Sequence, residues 1–245
     1  MRKLALVCAT AFVFTSAAAL AAGGKLPAYV SAALADKARP EADVKLDEAR
    51  KPGELIAWAG IKPGQKVADF LPGGGYFTHL FADVVGPKGH VFAVPLSEKG
   101  AERVKPVLEA HKNVSTVVAP QGGFPMPEKV DVVWTSLNYH DVHNLKLGDD
   151  GMVKFDKAVF DALKPGGEFI VIDHAAAPGS GVRDTNTLHR IDPAVVKQEV
   201  EAAGFKLESE SKLLSNPEDD HTKVVQDPSI RRHTDQFVLK FRKPK

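Results

Sequence analysis

Histidine and aspartate side chains occur together in two short runs that each follow an apolar stretch. Asn138-Tyr139-His140-Asp141 follows residues 130–137, and Asp173-His174 follows residues 168–172. Imidazole and carboxylate groups can accept or release a proton near neutral pH, and both also bind divalent metal ions. The two runs are therefore candidates for a catalytic or a metal-binding site.

A zinc site is one interpretation of these side chains. His140, His143, Asp173 and His174 supply nitrogen and oxygen ligands of the type that Zn²⁺ accepts, and three of them would be enough to hold it. A His-x-x-His pair without a helix register or a second pair is a weak signal. The sequence therefore favours no metal, and a metal-dependent hydrolase stays as a competing class.

A third candidate is the run at residues 66–79, in which three consecutive glycines follow an apolar stretch. Residues 67–71 predict a strand, Gly73-Gly74-Gly75 a turn, and a helix begins near Tyr76. Glycine lacks a Cβ atom, so the turn can adopt positive φ and its backbone can approach a ligand at a helix N-terminus. An ordinary strand-to-helix turn needs one glycine, so three in a row favour a ligand site.

Apolar runs alternate with helical patterns along the chain, which is typical of a parallel sheet covered by helices on both faces. The predicted strands are residues 67–71, 90–94, 114–119, 130–137, 168–172, 205–213 and 236–241, and the predicted helices are 47–60, 76–86, 98–111, 155–163 and 193–203. The last two strands have no helix between them, so one of them should run antiparallel. The predicted fold is α/β, a Rossmann-like, doubly wound and mostly parallel seven-stranded sheet with an antiparallel closing strand.

Open α/β sheets bind ligands at the carboxyl ends of their strands, near the point where the strand order reverses. We therefore expect the polar residues that follow strands to converge there. They are Asp69, Asn138, Tyr139, His140, Asp141, His143, Asp173 and His174. His189-Arg190-Ile191-Asp192 lies on a long loop that could close over a substrate, or Arg190 could pair with a surface carboxylate.

The first 21 residues have the layout of a secretory signal peptide. Arg2 and Lys3 precede an apolar run at residues 4–14, and Ala19-Leu20-Ala21 fits a cleavage site. The single cysteine, Cys8, lies in this segment, so the mature protein would have no disulfide and no thiolate metal site. Residues 22–46 are then an N-terminal extension and residues 47–245 one domain, in a periplasmic or secreted protein.

Charge and hydropathy limit the expected partners. The formal net charge of +1 at pH 7 gives no support for nucleic-acid binding, which requires a strongly basic face. After residue 21, no stretch is long and apolar enough to predict a membrane span. A small-molecule substrate is the expected partner. Two charged clusters, Asp219-Asp220-His221 and Arg231-Arg232-His233, are expected to be solvated.

The order of the elements resembles that of the class I S-adenosylmethionine-dependent methyltransferases. The resemblance covers about residues 45–243 and rests on the glycine turn, on Leu163-Lys164-Pro165-Gly166-Gly167 before the fifth strand, and on the terminal strand pair. Asn138-Tyr139-His140-Asp141 with Asp173-His174 is similar, more narrowly, to exported methyltransferase-like proteins of bacteria. The resemblance implies methyl transfer from S-adenosyl-L-methionine to an unidentified acceptor.

The resemblance also implies the residues that bind this cofactor. In the family, an acid and a Gly-x-Gly-x-Gly turn surround its methionine part; Asp69 takes the acid position, and Gly73 and Gly75 take those of the last two glycines. Leu71 replaces the first glycine, and because a leucine rarely adopts positive φ, either a modified turn or an altered cofactor pose is expected. The other cofactor-binding candidates are Pro72, Gly74, Asn138, Tyr139 and, beside the adenine amino group, Gln121.

One expected cofactor ligand is missing. The family usually ends the second strand with an acid that binds the ribose diol, but here that position is Pro95, which has no side-chain acceptor. Glu98, three residues further on, could substitute from the following helix. The missing acid and the export away from the compartment that makes the cofactor leave a non-catalytic binding protein on the same fold as the alternative.

Methyl transfer needs an acceptor held in line with the sulfonium methyl, and sometimes a base for the acceptor's proton. His140 or Asp141 is the first choice for this base, and His174 is the second. Structural roles compete with this interpretation, since Asp141 could cap the following segment and His140 could donate to a backbone carbonyl.

Overall fold

The computed structural model of the protein describes residues 25–120, 123–145, 147, 148 and 150–245. The predicted signal peptide with Cys8 and the predicted adenine ligand Gln121 lie outside the described residues. Within those ranges, no helix has the combination of length and apolar character that crossing a bilayer requires.

A seven-stranded sheet with the order β3-β2-β1-β4-β5-β7-β6 forms the centre of the fold. The strands are β1 (Lys66–Phe70), β2 (His90–Val94), β3 (Val114–Thr116), β4 (Val130–Ser136), β5 (Leu163–His174), β6 (Lys206–Ser211) and β7 (Gln236–Arg242). Strands β1 to β5 are parallel, and β7 runs antiparallel between β5 and β6. The strand order reverses between β1 and β4. The predicted doubly wound sheet with an antiparallel closing strand is confirmed.

Helices cover both faces of this sheet. They are α1 (Ala28–Leu34), α2 (Glu41–Val44), α3 (Asp47–Arg50), α4 (Pro52–Ala59), α5 (Tyr76–Val85), α6 (Glu98–Ala110), α7 (Tyr139–His143), α8 (Gly151–Ala162) and α9 (Pro193–Ala202). Alternate strand residues point into two apolar layers. Val67 and Trp134 pack with α4 and α5, whereas Phe70 and Phe169 pack with α8 and α9. The central strands are therefore buried on both faces, as parallel strands usually are.

The structure divides the predicted helix over residues 47–60 into α3 and α4. Lys51 separates them at φ 45, because a proline disfavours the right-handed helical conformation in the residue before it. Pro52 then begins α4, where its missing N–H costs nothing. The sequence also gave no indication of α7, the short helix directly after β4.

An N-terminal segment, residues 25–51, packs against α5 and forms a wall above the carboxyl ends of β1 and β4. Val30 of α1 is fully buried in the core. The Arg39 guanidinium donates to both carboxylate oxygens of Asp47, at 2.8 and 2.6 Å, and the Tyr76 hydroxyl donates to Asp47 at 2.6 Å. These bonds attach the segment to the start of α5.

Candidate functional site

The glycine turn lies at the carboxyl end of β1, and its first two glycines leave open space beside the backbone. A Cβ atom added to Gly73 or Gly74 would meet no heavy atom within 4 Å. Gly75 has a different reason to be glycine, because at φ 89 its Cβ would lie 2.6 Å from Val107 Cγ2 of α6. The turn thus combines bare backbone beside a cleft with close packing of two helices.

Leu71 adopts φ 55, the left-handed conformation that a leucine rarely takes. The leucine therefore does not prevent positive φ at this position of the turn, and the altered cofactor pose stays a prediction. The Leu71 N–H donates to the Val94 carbonyl at 3.0 Å, and the Asn138 amide donates to the Leu71 carbonyl at 3.1 Å. These bonds hold a conformation that costs a non-glycine residue roughly 1–2 kcal/mol.

Three adjoining cavities lie along the carboxyl ends of β1, β2 and β4. The first, the glycine cleft of about 350 Å³, is lined by Asp69, Pro72, Gly73, Gly74, Leu137 and Asn138 and, from the N-terminal segment, by Asp43, Leu46 and Arg50. The second, the arginine chamber of about 290 Å³, shares Arg50 and Leu137 with the cleft. It extends to His174, Leu214, Val225, Arg231, Arg232 and Gln236.

The third cavity, the Pro95 groove, has a volume of about 280 Å³ and shares Leu71, Pro72 and Gly73 with the glycine cleft. It extends to Pro95, Ser97, Lys99 and Arg103. Glu98 is exposed and does not line the groove, so the structure gives no support to its substitution for the missing ribose acid. Leu71, Pro72 and Pro95 border these cavities and leave them open.

Asp69 brings a buried carboxyl group to the floor of the glycine cleft. Its side chain accepts a hydrogen bond from the Thr78 hydroxyl at 2.6 Å. Burial raises the pKa of Asp69 to about 7, although the Thr78 bond and the nearby Arg50 charge oppose the rise. The carboxyl group can therefore gain or lose its charge near neutral pH, and a cationic ligand in the cleft would favour the charged form.

Arg50 is a cleft residue that the sequence did not single out. Its guanidinium carbon lies 4.5 Å from the centroid of the Tyr76 ring, and it borders both the glycine cleft and the arginine chamber. Burial lowers the pKa of Arg50. No motif surrounds this arginine, and only the packing of the N-terminal segment over the sheet brings its charge to the site.

His140 and Asp173 form a buried pair at the ends of β4 and β5. His140 Nδ1 lies 2.8 Å from Asp173 Oδ1, and the His140 backbone N–H donates to Asp173 Oδ2 at 2.8 Å. Burial lowers the pKa of His140 and the Asp173 carboxylate raises it, with a net upward shift. The proposed bond from His140 to a backbone carbonyl is therefore wrong, because the imidazole pairs with a carboxylate.

The other face of His140 approaches two polar side chains. His140 Nε2 lies 3.3 Å from His189 Nδ1 and 3.4 Å from Asp141 Oδ1. No capping bond from the Asp141 side chain is found within α7 as the structure describes it. Neither His140 nor Asp141 lines the glycine cleft or the arginine chamber.

His174, the second choice for a base, lines the arginine chamber. Its Nδ1 lies 2.7 Å from the Thr234 hydroxyl. Burial lowers the pKa of His174 to about 4, although the Asp173 carboxylate opposes the shift. The imidazole is therefore neutral at neutral pH and can hydrogen-bond a ligand through its second nitrogen.

Tyr139 and His143 point away from the three cavities. The Tyr139 hydroxyl lies 2.9 Å from Asp156 Oδ2 and 3.1 Å from Glu199 Oε2, within hydrogen-bond distance of both carboxyl groups, and its ring is fully buried in the layer with α8. His143 Nε2 lies 3.1 Å from Glu199 Oε2. The structure thus places Tyr139 outside the predicted cofactor site and His143 outside the predicted zinc set, since α7 turns both toward α8 and α9.

Arg190 and Asp219 were expected at the surface, and the structure buries both. Their side chains are completely inaccessible, and the guanidinium donates to the carboxylate at 2.8 and 3.1 Å. The pair joins the loop before α9 to the loop before β7. Neither the proposed pairing of Arg190 with a surface carboxylate nor the solvation of Asp219 is correct, because the two polar loops fold onto each other.

The fold is that of the class I S-adenosylmethionine-dependent methyltransferases, and solved structures of such enzymes match it. One from Aquifex aeolicus is 17% identical with a TM-score of 0.58, covering 80% of this chain and 97% of that one. Another, from Mesorhizobium loti, is 18% identical with a TM-score of 0.58, covering 81% and 100%. The cyclase SpnF matches with 15% identity and a TM-score of 0.58, covering 80% of both chains. At these identities the likeness shows the fold alone.

Sequence relatives carry the name of the same class. The ubiquinone/menaquinone biosynthesis C-methyltransferase UbiE of Photorhabdus laumondii is 27% identical over 177 residues, 68% of this chain and 66% of its own. The protein of that name from Vibrio cholerae is 28% identical over 195 residues, 76% of this chain and 64% of its own. The chain thus spans slightly less than two thirds of the length of these relatives. No protein-family model matches it.

Proposed function

We propose that the protein transfers the methyl group of S-adenosylmethionine to a small acidic molecule. The observation that carries the proposal is the space beside Gly73 and Gly74, which adjoins the arginine chamber through the shared residues Arg50 and Leu137. A donor in the cleft and an acceptor in the chamber would be neighbours, as direct transfer requires. The methyltransferase names of the relatives support this reaction.

The glycine cleft fits the methionine part of this cofactor. Asp69 offers a carboxylate to its ammonium group, Arg50 offers a guanidinium to its carboxylate, and the bare backbone of Gly73 and Gly74 leaves it room. Asn138 supports the turn through its bond to the Leu71 carbonyl. The bound cofactor supplies an electrophilic methyl group, so the protein has to position the acceptor and exclude water.

The arginine chamber favours an acceptor with an acidic group. Arg50, Arg231 and Arg232 line it, and no aspartate or glutamate of the described residues does. Guanidinium groups bind carboxylate and phosphate groups through paired hydrogen bonds. Leu214 and Val225 give the same chamber an apolar wall. An acid with an apolar body would satisfy both parts of this lining.

His174 is the predicted base that reaches this chamber. Its neutral imidazole has one nitrogen bonded to Thr234, and the other is available to orient the acceptor or to take its proton. The ring centroid of His140 lies 6.3 Å from that of His174. We assign His140 and Asp173 to fixing the shape of the site beside His174, since neither lines the chamber.

Export belongs to the same proposal. The signal-peptide pattern of residues 1–21 supports a periplasmic or secreted protein, and Asn138-Tyr139-His140-Asp141 with Asp173-His174 supports the exported methyltransferase-like subgroup. Mass spectrometry of the protein recovered from a bacterial periplasm would test export. Loss of about 21 N-terminal residues is the expected result, and an intact N-terminus on cytoplasmic protein would contradict it.

The transfer can be tested with S-adenosylmethionine that carries an isotopically labelled methyl group. The purified protein is incubated with pooled small molecules separated into acidic and neutral fractions. We expect the label to appear in the acidic fraction. Arg232→Met should lower the transfer at least about tenfold while leaving cofactor affinity unchanged, because Arg232 lines the chamber and not the cleft. Transfer to the neutral fraction alone would contradict the proposed acceptor.

A non-catalytic binding protein on the same fold is the second candidate, and the Pro95 groove favours it. The groove presents Lys99 and Arg103 near the position where the family binds ribose with an acid. SpnF, named as a cyclase, has the same fold, so the architecture does not fix the reaction. Saturable cofactor binding without transfer of label to either fraction would favour this candidate.

A further inference from the structure

A second group of titratable side chains lies on the outer side of α5, apart from the three cavities. We call it the His79 cluster: His79 and Asp83 on α5, His111 at the end of α6, and Asp36 after α1. His79 and Asp83 are four residues apart, so they project from one face of the helix. Nitrogen and oxygen atoms of His79, Asp83 and His111 all lie within 4.8 Å of one another.

The polar atoms of this cluster are incompletely paired. Asp83 Oδ2 and His111 Nε2 are buried and have no hydrogen-bond partner. His79, 4% exposed, bonds to Asp36 Oδ2 through Nε2 at 2.9 Å, while Asp83 lies 3.7 Å from His79 and 3.6 Å from His111. Buried donors and acceptors that stay unmatched destabilise a folded protein. An ion bound between the four side chains could therefore pair with polar atoms that have no partner among the described residues.

We propose that the His79 cluster binds one Zn²⁺ ion through His79, Asp83 and His111, with Asp36 as the fourth ligand. Zinc binds imidazole and carboxylate at ~2.0–2.2 Å in a tetrahedron, which sets neighbouring ligand atoms about 3.3–3.6 Å apart. His79 Nε2 lies 2.9 Å from Asp36 Oδ2 and 3.7 Å from Asp83 Oδ2, and His111 Nδ1 lies 3.6 Å from Asp83 Oδ1, so the side chains are spaced close to this value. Two imidazoles and two carboxylates also suit zinc better than Ca²⁺ or Mg²⁺, which prefer oxygen alone.

The charges of the cluster support a cation at this place. Asp36 Oδ2 and Asp83 Oδ2 both approach the same nitrogen, His79 Nε2, at 2.9 and 3.7 Å. Two carboxyl groups are thus held close together in a partly buried site. A divalent cation between them would stabilise both charged forms and would bond to the unmatched Oδ2 atom of Asp83, while His111 would bind it through Nδ1, the nitrogen that faces Asp83.

The position of the site gives the ion a structural consequence. Asp36 belongs to the N-terminal segment, whose Asp43, Leu46 and Arg50 line the glycine cleft. Asp47 of the same segment already bonds to Tyr76 of α5, and Asp36 bonds to His79 of α5. Zinc would strengthen the second of these attachments and would extend it to Asp83 and His111. Binding of the ion would therefore hold the cleft wall in place without touching the ligand.

Zinc binding is measured by titrating chelator-treated full-length protein with Zn²⁺ alone in a calorimeter. We expect one ion per chain in the wild type and at least about 100-fold weaker binding in Asp83→Asn and in His111→Asn, because each variant removes one ligand. His189→Asn is the matched control, since it disrupts the other group of possible ligands, His140, Asp141 and His189. Its zinc affinity should equal that of the wild type.

X-ray absorption of the zinc-loaded wild type is the second measurement, and it does not depend on the folding of any variant. We expect nitrogen and oxygen ligands at ~2.0–2.2 Å. Zinc should also slow proteolysis within residues 25–51. The proposal is overturned if the wild type binds no zinc at micromolar concentrations, if Asp83→Asn binds it equally well, or if His189→Asn alone loses it.

Discussion

Among single residues, two charged side chains of opposite sign, Asp69 and Arg50, are the main features of the site. Asp69 and Arg50 both line the glycine cleft. Burial raises the pKa of Asp69 and lowers the pKa of Arg50, and both shifts favour the neutral form of the side chain. A buried charge is costly unless it is paired, so such groups are often kept for binding or catalysis. Here their opposite signs match the two charged ends of an amino acid such as the methionine part of the cofactor.

The raised pKa of Asp69, about 7, predicts a dependence of stability on pH. Between about pH 4 and pH 7 the folded protein holds a proton on Asp69 that the unfolded chain has released, so this group lowers the free energy of unfolding as pH rises. Each unit of the pKa shift corresponds to roughly 1.4 kcal/mol. Asp69→Asn removes the effect.

Urea unfolding of the ligand-free wild type and of Asp69→Asn at pH 5 and pH 8 measures this pH dependence of the free energy of unfolding. The free energy of unfolding of Asp69→Asn, relative to that of the wild type, should be higher at pH 8 than at pH 5. A stability difference that stays constant with pH would show that Asp69 is already ionised in the folded protein at pH 5.

At the scale of the elements, backbone strain collects where strands meet the site. Leu71 follows β1 at φ 55, and Leu137 follows β4 at φ 63. His189, whose Nδ1 lies 3.3 Å from His140 Nε2, has φ 55. Residues other than glycine seldom adopt this conformation, and they do so mostly at functional sites. The sequence predicted the strands and the turn but not this strain, because a leucine in a strand pattern carries no signal for positive φ.

Substitutions at Leu71 test this backbone conformation. Leu71→Gly should change the free energy of unfolding by less than about 1 kcal/mol, since glycine relieves the strain but loses a partly buried side chain. Leu71→Val should be less stable than Leu71→Gly by about 1–2 kcal/mol, because a β-branched residue is strained at positive φ. The same pair at Leu207 in β6 should show the opposite order. Valine matching or exceeding glycine at both positions would contradict the strained turn.

The buried Arg190–Asp219 pair, which joins two loops, should contribute strongly to stability. Asp219→Ala should destabilise the protein by about 3–5 kcal/mol, because it leaves the fully buried Arg190 without its partner. Chemical denaturation measures the loss in the free energy of unfolding. The exposed neighbour Asp220 is the control, since Asp220→Ala should keep the wild-type midpoint of denaturation. Equal effects of the two substitutions would show that the buried pair has no special role in joining the loops.

At the scale of the whole molecule, local patterns in the sequence were enough to predict the sheet. Apolar runs, the glycine turn and the lack of a helix between the last two strands predicted seven strands and the antiparallel closing one. The site was less predictable, because it depends on contacts between distant segments. Arg50 lines one cavity with Arg231 and Arg232 only in the folded chain, and α7 turns Tyr139 toward α8 instead of the cleft.

Methyl transfer by this protein requires that the bare backbone at Gly73 and Gly74 make room for an adenosyl cofactor. Calorimetric titration of the protein with S-adenosylhomocysteine tests it most directly, with Gly74→Val as the comparison. A Cβ atom at Gly74 would meet no heavy atom within 4 Å, and Gly74 lines the cleft, so we expect the valine to occupy the cleft without disturbing the fold. We predict saturable one-to-one binding in the wild type and at least about 100-fold weaker binding in the folded variant. Absence of binding to the wild type at millimolar ligand, or equal binding to both proteins, would contradict the account.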